Sequence, residues 1–186
     1  MHILIVDTET GGVDSSTDAL LTIGALAIRR TIGGEFVVEN EFDTVINPPE
    51  NLKINSTALA KNKLEMSKIR SEGLDEREAL AGFIRMAQRY RNKGKFPVLA
   101  GWNIHFDEAF LKAAFERQGI AWPFYFITFD VAFYWKHYNL FEKGYPQFGG
   151  IEKAAREILD KSVPHDALGD VKITYELLQK FIGSVE

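Results

Sequence analysis

The sequence predicts a mixed α/β fold in which helices cover both faces of one central sheet. Two observations support this class. Three strand-like runs come first and are joined only by turn-type residues, which is typical of an antiparallel meander. Short apolar runs then alternate with segments whose apolar residues recur at helical spacing, as in strands connected by helices. A sheet built from both parts contains antiparallel and parallel strands and needs helices on both faces.

The first three strands form the predicted meander. A fully apolar run near the N-terminus suits a buried central strand. A polar segment separates it from a second apolar run, and Gly33-Gly34 predicts a hairpin turn into the third strand. Pro48 and Pro49 end that strand, because proline has no N–H to donate to a neighbouring strand. The three strands are Ile3 to Val6, Leu20 to Ile28 and Glu35 to Ile46.

Helices dominate the rest of the chain. The segment Asp75 to Arg91 has apolar residues, such as Phe83 and Ala87, at the spacing of one helical face. Gly119 ends the helix Asp107 to Gln118, since glycine readily takes the left-handed conformation that closes helices. Further helices are predicted from Asp130 to Tyr138, from Phe148 to Leu159 and from Asp166 to Phe181. The remaining predicted strands are the short runs Pro97 to Ala100 and Tyr125 to Thr128.

Composition excludes several kinds of site and partner. The chain has 186 residues and no cysteine, which rules out disulfides, thiolate metal ligands and a cysteine nucleophile. Its length predicts a single domain over residues 1–186. No run approaches the roughly 20 apolar residues that span a bilayer, and the N-terminus does not resemble a signal peptide. We therefore expect a cytoplasmic protein with no membrane partner. The net charge of −4 argues against tight sequence-specific duplex binding, although a carboxylate site for metal ions is itself acidic.

Asp7 and Glu9 directly follow the first predicted strand. Because they are two residues apart on an extended chain, their carboxylates point to the same side. Beside a buried strand, two such charges repel each other unless a cation lies between them. Oxygen ligands of this kind suit Mg²⁺ or Mn²⁺. Taken alone the pair indicates a metal site only weakly, because Asp-x-Glu is common in turns.

Two further acidic segments lie at predicted helix starts. Asp107 opens a helix, where the exposed N–H groups favour an acid, so that capping alone explains it. His165 and Asp170 open the last predicted helix and can reach the same cleft. A solvent-exposed histidine and an N-terminal helix acid are the alternatives there. Together, the three segments have the order and the structural context that a single cleft requires.

The three segments resemble the motifs of the DEDDh exonucleases, the family of ribonuclease T and of the proofreading epsilon subunit of bacterial DNA polymerase III. Asp7-Thr8-Glu9 matches Asp-x-Glu, and Asn103 to Asp107 matches Asn-x-x-Phe-Asp. His165, Ala167 and Asp170 match His-x-Ala-x-x-Asp. The resemblance extends over nearly the whole chain. It implies a ribonuclease H-like fold with a five-stranded mixed sheet flanked by helices.

The resemblance also implies an activity. Such an enzyme hydrolyses phosphodiester bonds from the 3′ end by a two-metal mechanism and releases nucleoside 5′-monophosphates. The family pattern implies that four acids hold two Mg²⁺ or Mn²⁺ ions and that a histidine is the general base, where a tyrosine would indicate a sister subfamily. The implied catalytic residues are Asp7, Glu9, Asp107, Asp170 and His165, of which the four acids are the metal ligands. Candidate substrate contacts are Thr8, Thr10, Asn103 and Phe106.

The nucleic acid that is cut stays open at the level of sequence. Single-stranded DNA is the first expectation, and RNA 3′ ends or a polymerase-associated proofreading or binding module are the alternatives. A homodimer is compatible with each of them. Around Asn62-Lys63-Leu64 and over Phe148 to Leu159 the chain departs from the usual family wording, so substrate preference does not transfer. Seven basic residues are expected on solvated helix faces, with a phosphate-binding rim as the alternative: Lys61, Lys63, Arg85, Arg89, Arg91, Lys93 and Lys95.

Overall fold

The N-terminal meander forms as its sequence predicts. The computed structural model describes residues 2–141, 144 and 149–183. Within them, three long antiparallel strands are followed by three short strands that pair in parallel with their neighbours. The strands are β1 (His2–Thr10), β2 (Leu20–Arg30), β3 (Phe36–Asn47), β4 (Leu74–Asp75), β5 (Val98–Gly101) and β6 (Thr128–Asp130). Their order across the sheet is β4-β3-β2-β1-β5-β6, which makes β1 a central strand.

Two expectations about the sheet are wrong in detail. The sheet has six described strands instead of five, because the two-residue strand β4 adds to the edge of β3 and is too short to show any alternation. The last strand is Thr128–Asp130 and not Tyr125 to Thr128. Its position is set by register, since Leu99 of β5 pairs with Thr128. The aromatic residues before this strand suggested a buried strand there, but they are not buried in one, since Phe126 is 76% exposed.

Helices cover both faces of the sheet. The predicted helices are confirmed with shifted ends as α3 (Glu76–Gln88), α4 (His105–Arg117), α5 (Ala132–Phe141), α6 (Ile151–Ala154) and α7 (Ala167–Gly183). Helix α6 continues into a π-helical turn, Ala155–Leu159, and the predicted start at Phe148 lies outside the described residues. The sequence did not predict α1 (Ser56–Lys61) and α2 (Met66–Glu72). Ile69 of α2 is the one fully buried residue of the two helices, so their sequences show no repeating apolar face. None of the described helices has the length and apolar character needed to cross a membrane.

The alternation of β1 determines which helix each of its side chains faces. Leu4 belongs to a core that β1 shares with α3 and α4, whereas Ile5 belongs to a core on the other face, with α7. Side chains alternate along a strand, so Thr8 continues the α4 side while Asp7 and Glu9 continue the α7 side. The strand therefore presents its two acids toward α7 and its hydroxyl toward α4.

A glycine on β2 lets α7 approach the acids. Gly24 is the antiparallel partner of Asp7. A β-carbon at Gly24 would lie 2.4 Å from the carbonyl carbon of Ala167 and 2.5 Å from the amide nitrogen of Leu168. Both atoms are backbone at the start of α7, so they cannot move aside without moving the helix. The absence of a side chain at Gly24 thus sets how close α7 comes to β1.

We predict that Gly24→Ala destabilises the protein by about 2 kcal/mol or more, because overpacking against rigid backbone typically costs 1–3 kcal/mol. Gly33→Ala is the matched control, since its added β-carbon would meet no atom closer than 3.8 Å. Urea unfolding of both variants and the wild type measures the difference. Equal stabilities for the two variants would contradict the close approach of α7.

Candidate active site

Four carboxylates meet at the C-terminal end of β1. Asp7 and Glu9 come from β1 itself, and Asp107 lies in the first turn of α4, which follows the parallel neighbour β5. Asp170 lies in the first turn of α7. One carboxylate oxygen from each of Asp7, Glu9 and Asp170 lies within 4.8 Å of the other two. The structure thus brings together the acids of three segments that are separate in sequence.

Asp107 joins this group from the opposite side of the strand. Its Oδ1 accepts hydrogen bonds from the backbone N–H of Thr8 at 2.8 Å and from the Thr8 hydroxyl at 2.7 Å. The carboxylate is therefore tied to β1, which the capping interpretation of this residue does not explain. Thr8 was predicted as a substrate contact. It lines the cleft but is only 6% exposed, and the role that the structure shows for it is to hold Asp107.

His165 lies in the loop before α7, on the wall of the same cleft. Its backbone is left-handed, with φ of +61°, which is uncommon for a residue other than glycine. Its N–H donates to Asp170 Oδ1 at 3.0 Å. Asp166 closes the loop by accepting a hydrogen bond from the Gly169 N–H at 2.8 Å. The loop and the first turn of α7 therefore hold the histidine and the fourth acid as one unit.

Burial raises the pKa values of the two acids of β1. Burial raises the pKa of Asp7 well above its usual range, and the carboxylates of Asp107, Glu9 and Asp170 raise it further. Burial is also the main cause that raises the pKa of Glu9 to about 8, followed by the charge of Asp170. An ionised carboxylate in such a place is disfavoured both by the loss of water and by its like-charged neighbours.

The pKa values of Asp107 and Asp170, the two acids that lie on helices, are raised less. Burial raises the pKa of Asp107 to about 7, and the two hydrogen bonds from Thr8 lower it in part. Burial raises the pKa of Asp170 to about 6, and the N–H of His165 lowers it in part. Each of these two acids accepts a hydrogen bond that stabilises its charged form, whereas no hydrogen bond is among the main causes that set the pKa of Asp7 or Glu9.

The donor set fits a divalent cation. All four side chains offer carboxylate oxygens, the ligands that Mg²⁺ and Mn²⁺ prefer. A cation among them would allow the acids to ionise together, since it replaces repulsion by attraction. Three of the four already have oxygens within 4.8 Å of one another. The site is therefore suited chemically to hold metal ions.

The acids lie in an open cleft with a volume of about 680 Å³. All four residues predicted as substrate contacts line it, namely Thr8, Thr10, Asn103 and Phe106. Asn103 has a left-handed backbone with φ of +58°, and its N–H donates to Asp130 Oδ1 at 2.9 Å. Phe106 packs on Phe110 with ring centroids 5.0 Å apart, which fixes the ring at the edge of the cleft.

Sequence reasoning missed part of the cleft wall. The additional lining residues with notable side chains are Val13, Asn55, Lys61, Asn62, Trp102 and Glu152. Trp102 could have been found, because it directly precedes the second motif. Lys61 was considered only as one of several basic residues and Asn62 only as a departure from the family wording. The short helix α1, which ends at Lys61, has no apolar periodicity that would have placed them at the cleft.

Comparisons with known proteins identify relatives of this chain. The family model RNase_T, described as exonuclease, matches residues 4–178. Ribonuclease T from Haemophilus ducreyi is 30% identical over 98% of this chain and 86% of its own length. Ribonuclease T from Wigglesworthia glossinidia brevipalpis is 32% identical over 69% of this chain. That match spans 62% of the Wigglesworthia protein's length.

Solved structures share the fold. A zinc-bound complex of E. coli exonuclease I with single-stranded DNA aligns with a TM-score of 0.76 and 18% identity, covering 96% of this chain and 39% of that one. The nuclease domain of 3′hExo, a DEDDh family member bound to rAMP, aligns with a TM-score of 0.75 and 13% identity over 99% of this chain and 92% of that domain. The chain therefore belongs to the RNase_T family of exonucleases, and to the DEDDh group that its three motifs predict.

Proposed function

We propose that this protein is a 3′→5′ exonuclease that removes nucleoside 5′-monophosphates from the 3′ end of single-stranded DNA. The observation that carries the proposal is the convergence of four acids, each buried or half-buried, and one histidine on a single open cleft. A cluster of raised carboxyl pKa values in a cleft is typical of a functional site and is costly to maintain for structure alone. Membership of an exonuclease family supports the same reaction.

The four acids are the proposed ligands of two Mg²⁺ or Mn²⁺ ions. When bound, such cations supply Lewis-acid stabilisation of the charge that develops on the oxygens of a phosphodiester. The protein's contribution is to keep the ligands in place. Thr8 holds Asp107 with two hydrogen bonds, and the backbone of His165 holds Asp170.

His165 is the proposed general base. It lies partly exposed on the cleft wall, so an imidazole nitrogen can accept a proton from a water molecule in the cleft. A neutral imidazole ring has a free nitrogen lone pair that can accept that proton, which is what a general base requires. The acids cannot serve as well, because their oxygens are committed to cations in the working enzyme.

The cleft wall favours a single strand over a duplex. Val13, which is 86% exposed, and the rings of Phe106 and Trp102 offer apolar surface beside the acids. Unstacked bases expose faces that pack on such groups, whereas a base inside a duplex does not. Lys61 is the one lysine or arginine among the described residues that line the cleft, and it is placed to contact a phosphate.

RNA 3′ ends are the second candidate substrate. The observation that favours them is that the curated relatives from Haemophilus and Wigglesworthia are both ribonuclease T. The 2′-hydroxyl that distinguishes the two polymers is read by local contacts at the terminal nucleotide. DNA and RNA are therefore compared directly in the test.

The test is a time course with 5′-labelled single-stranded DNA, blunt duplex DNA and single-stranded RNA in Mg²⁺ or Mn²⁺. We expect a ladder that shortens one nucleotide at a time from the 3′ end of single-stranded DNA. A blocked 3′ hydroxyl, a chelator or Asp7→Asn should each abolish it. Internal fragments, or full activity of Asp7→Asn, would overturn the proposal, and faster loss of RNA would establish the second candidate.

We predict that His165→Ala lowers kcat by about 10²- to 10⁴-fold, the range for removal of a general base. His105→Ala is the matched control, because His105 is exposed on α4 and contacts Glu108 at 3.8 Å, outside the cleft. Thermal unfolding of both variants should match the wild type. A wild-type kcat in His165→Ala would remove this residue from the mechanism.

We predict that the metal-free protein loses stability as pH rises from about 4.5 to about 8. The pKa of Glu9 is about 8 in the folded state and 4.5 in its ordinary state, so between these values the folded protein binds the extra proton. Across that window the unfolded state releases this proton while the folded state keeps it, which lowers the free energy of unfolding by up to about 5 kcal/mol. Urea unfolding with a chelator at pH 5 and pH 8 measures the loss.

Glu9→Gln should flatten this pH dependence, and Mg²⁺ should restore stability to the wild type at pH 8. Glu50→Gln is the control, because Glu50 is an exposed loop residue away from the cluster. An equal pH dependence in Glu9→Gln and Glu50→Gln would show that the cluster is not the source of the effect.

A further inference from the structure

One long-range hydrogen bond joins the α1–α2 turn to the loop before α7 that carries His165, residues 160–166, here called the histidine loop. The ammonium of Lys63 donates to the backbone carbonyl of Pro164 at 2.8 Å, between residues 101 positions apart in the chain. Lys63 lies in the turn between α1 and α2, and Pro164 directly precedes His165. Lys63 is exposed as expected, but the expectation of a helix face is wrong for it, because it lies outside both helices and has a specific partner.

The turn that carries Lys63 is itself anchored to β1. The buried Asn62 donates from Nδ2 to the carbonyl of Thr10 at 3.2 Å. The N–H of Leu64 donates to the carbonyl of Leu59 at 3.0 Å, which closes the turn. Lys63 has a left-handed backbone with φ of +54°. Glycine adopts that conformation at lower cost, so the turn alone does not explain a lysine at this position.

The histidine loop contacts the first turn of α7 on one side and the α1–α2 turn on the other. The ring of Pro164 packs on the first turn of α7, since a β-carbon on Gly169 would lie 2.8 Å from Pro164 Cγ. The N–H of His165 is bound to Asp170. Both contacts come from α7, and Val163, which directly precedes Pro164, is buried in a core cluster with Trp135. The Lys63 bond adds a contact from a different part of the chain, directly at the carbonyl that precedes His165.

We propose that Lys63 is a positioning residue that fixes the main chain at His165 from the α1–α2 turn. The proposal rests on the proposed function, because it assigns Lys63 to the proton-transfer step that His165 performs. A hydrogen bond from an ammonium to a carbonyl is stronger than a neutral one, which suits a contact at the surface. Proton transfer depends steeply on the distance between donor and acceptor, so a looser loop slows the chemical step without weakening substrate binding.

The kinetic test compares Lys63→Met, Lys63→Arg and the control Lys68→Met, which removes an exposed lysine from α2. We expect Lys63→Met to lower kcat about five- to twentyfold with KM within about twofold, as misplacement of a catalytic group predicts. Lys63→Arg keeps a donor and should recover most of the loss, and Lys68→Met should match the wild type. A wild-type kcat in Lys63→Met, or a raised KM at unchanged kcat, overturns the proposal.

Amide hydrogen exchange tests the same bond without any activity. In the metal-free protein, we expect the His165 amide to exchange about tenfold faster in Lys63→Met than in the wild type, with Lys68→Met unchanged. Thermal unfolding of all three should coincide, because the bond is local. Equal exchange in Lys63→Met and the wild type contradicts the positioning role. If the wild type cut no nucleic acid, the proposed function would fail while the exchange result still decided whether Lys63 holds the loop.

Discussion

The mutual repulsion of carboxylates at the end of a buried strand is the constraint on which the rest of this structure depends. β1 lies between two apolar layers, and Asp7 and Glu9 continue it to the edge of the cleft, where burial raises the pKa of each. Burial and like charge together raise the pKa values of all four acids of the cluster. A fold gains nothing from such an arrangement by itself, so the arrangement is best understood as preparation for cations.

The surrounding elements converge on this strand end. Helices α4 and α7 each direct an N-terminus at it, and the positive end of a helix dipole favours the acids in their first turns. Strand alternation decides which helix supplies which contact: Thr8 reaches Asp107 on one face, while the bare surface of Gly24 admits α7 on the other. The left-handed backbone of His165 then directs the loop back into the cleft.

The sequence predicted the elements that bury an apolar face and the residues that form motifs, but it did not predict the short exposed helices. The meander, α3 and α7 bury apolar faces, so periodicity predicted them. The five proposed catalytic residues followed from motifs and from a family resemblance, and spacing alone did not identify them. Helices α1 and α2 bury little apolar surface and gave no pattern, so the helix that brings Lys61 to the cleft wall was not predicted. The strand β4 and the register of β6 depend on tertiary pairing, which local sequence does not encode.

We propose that the acid cluster at the end of β1 is a metal site. Anomalous diffraction from crystals grown with Mn²⁺ is the sharpest test, because it locates the ions without reference to activity. We expect strong peaks among Asp7, Glu9, Asp107 and Asp170, and their loss in Asp7→Asn crystals. Fully occupied Mn²⁺ elsewhere on the molecule with no peak among these acids would contradict it.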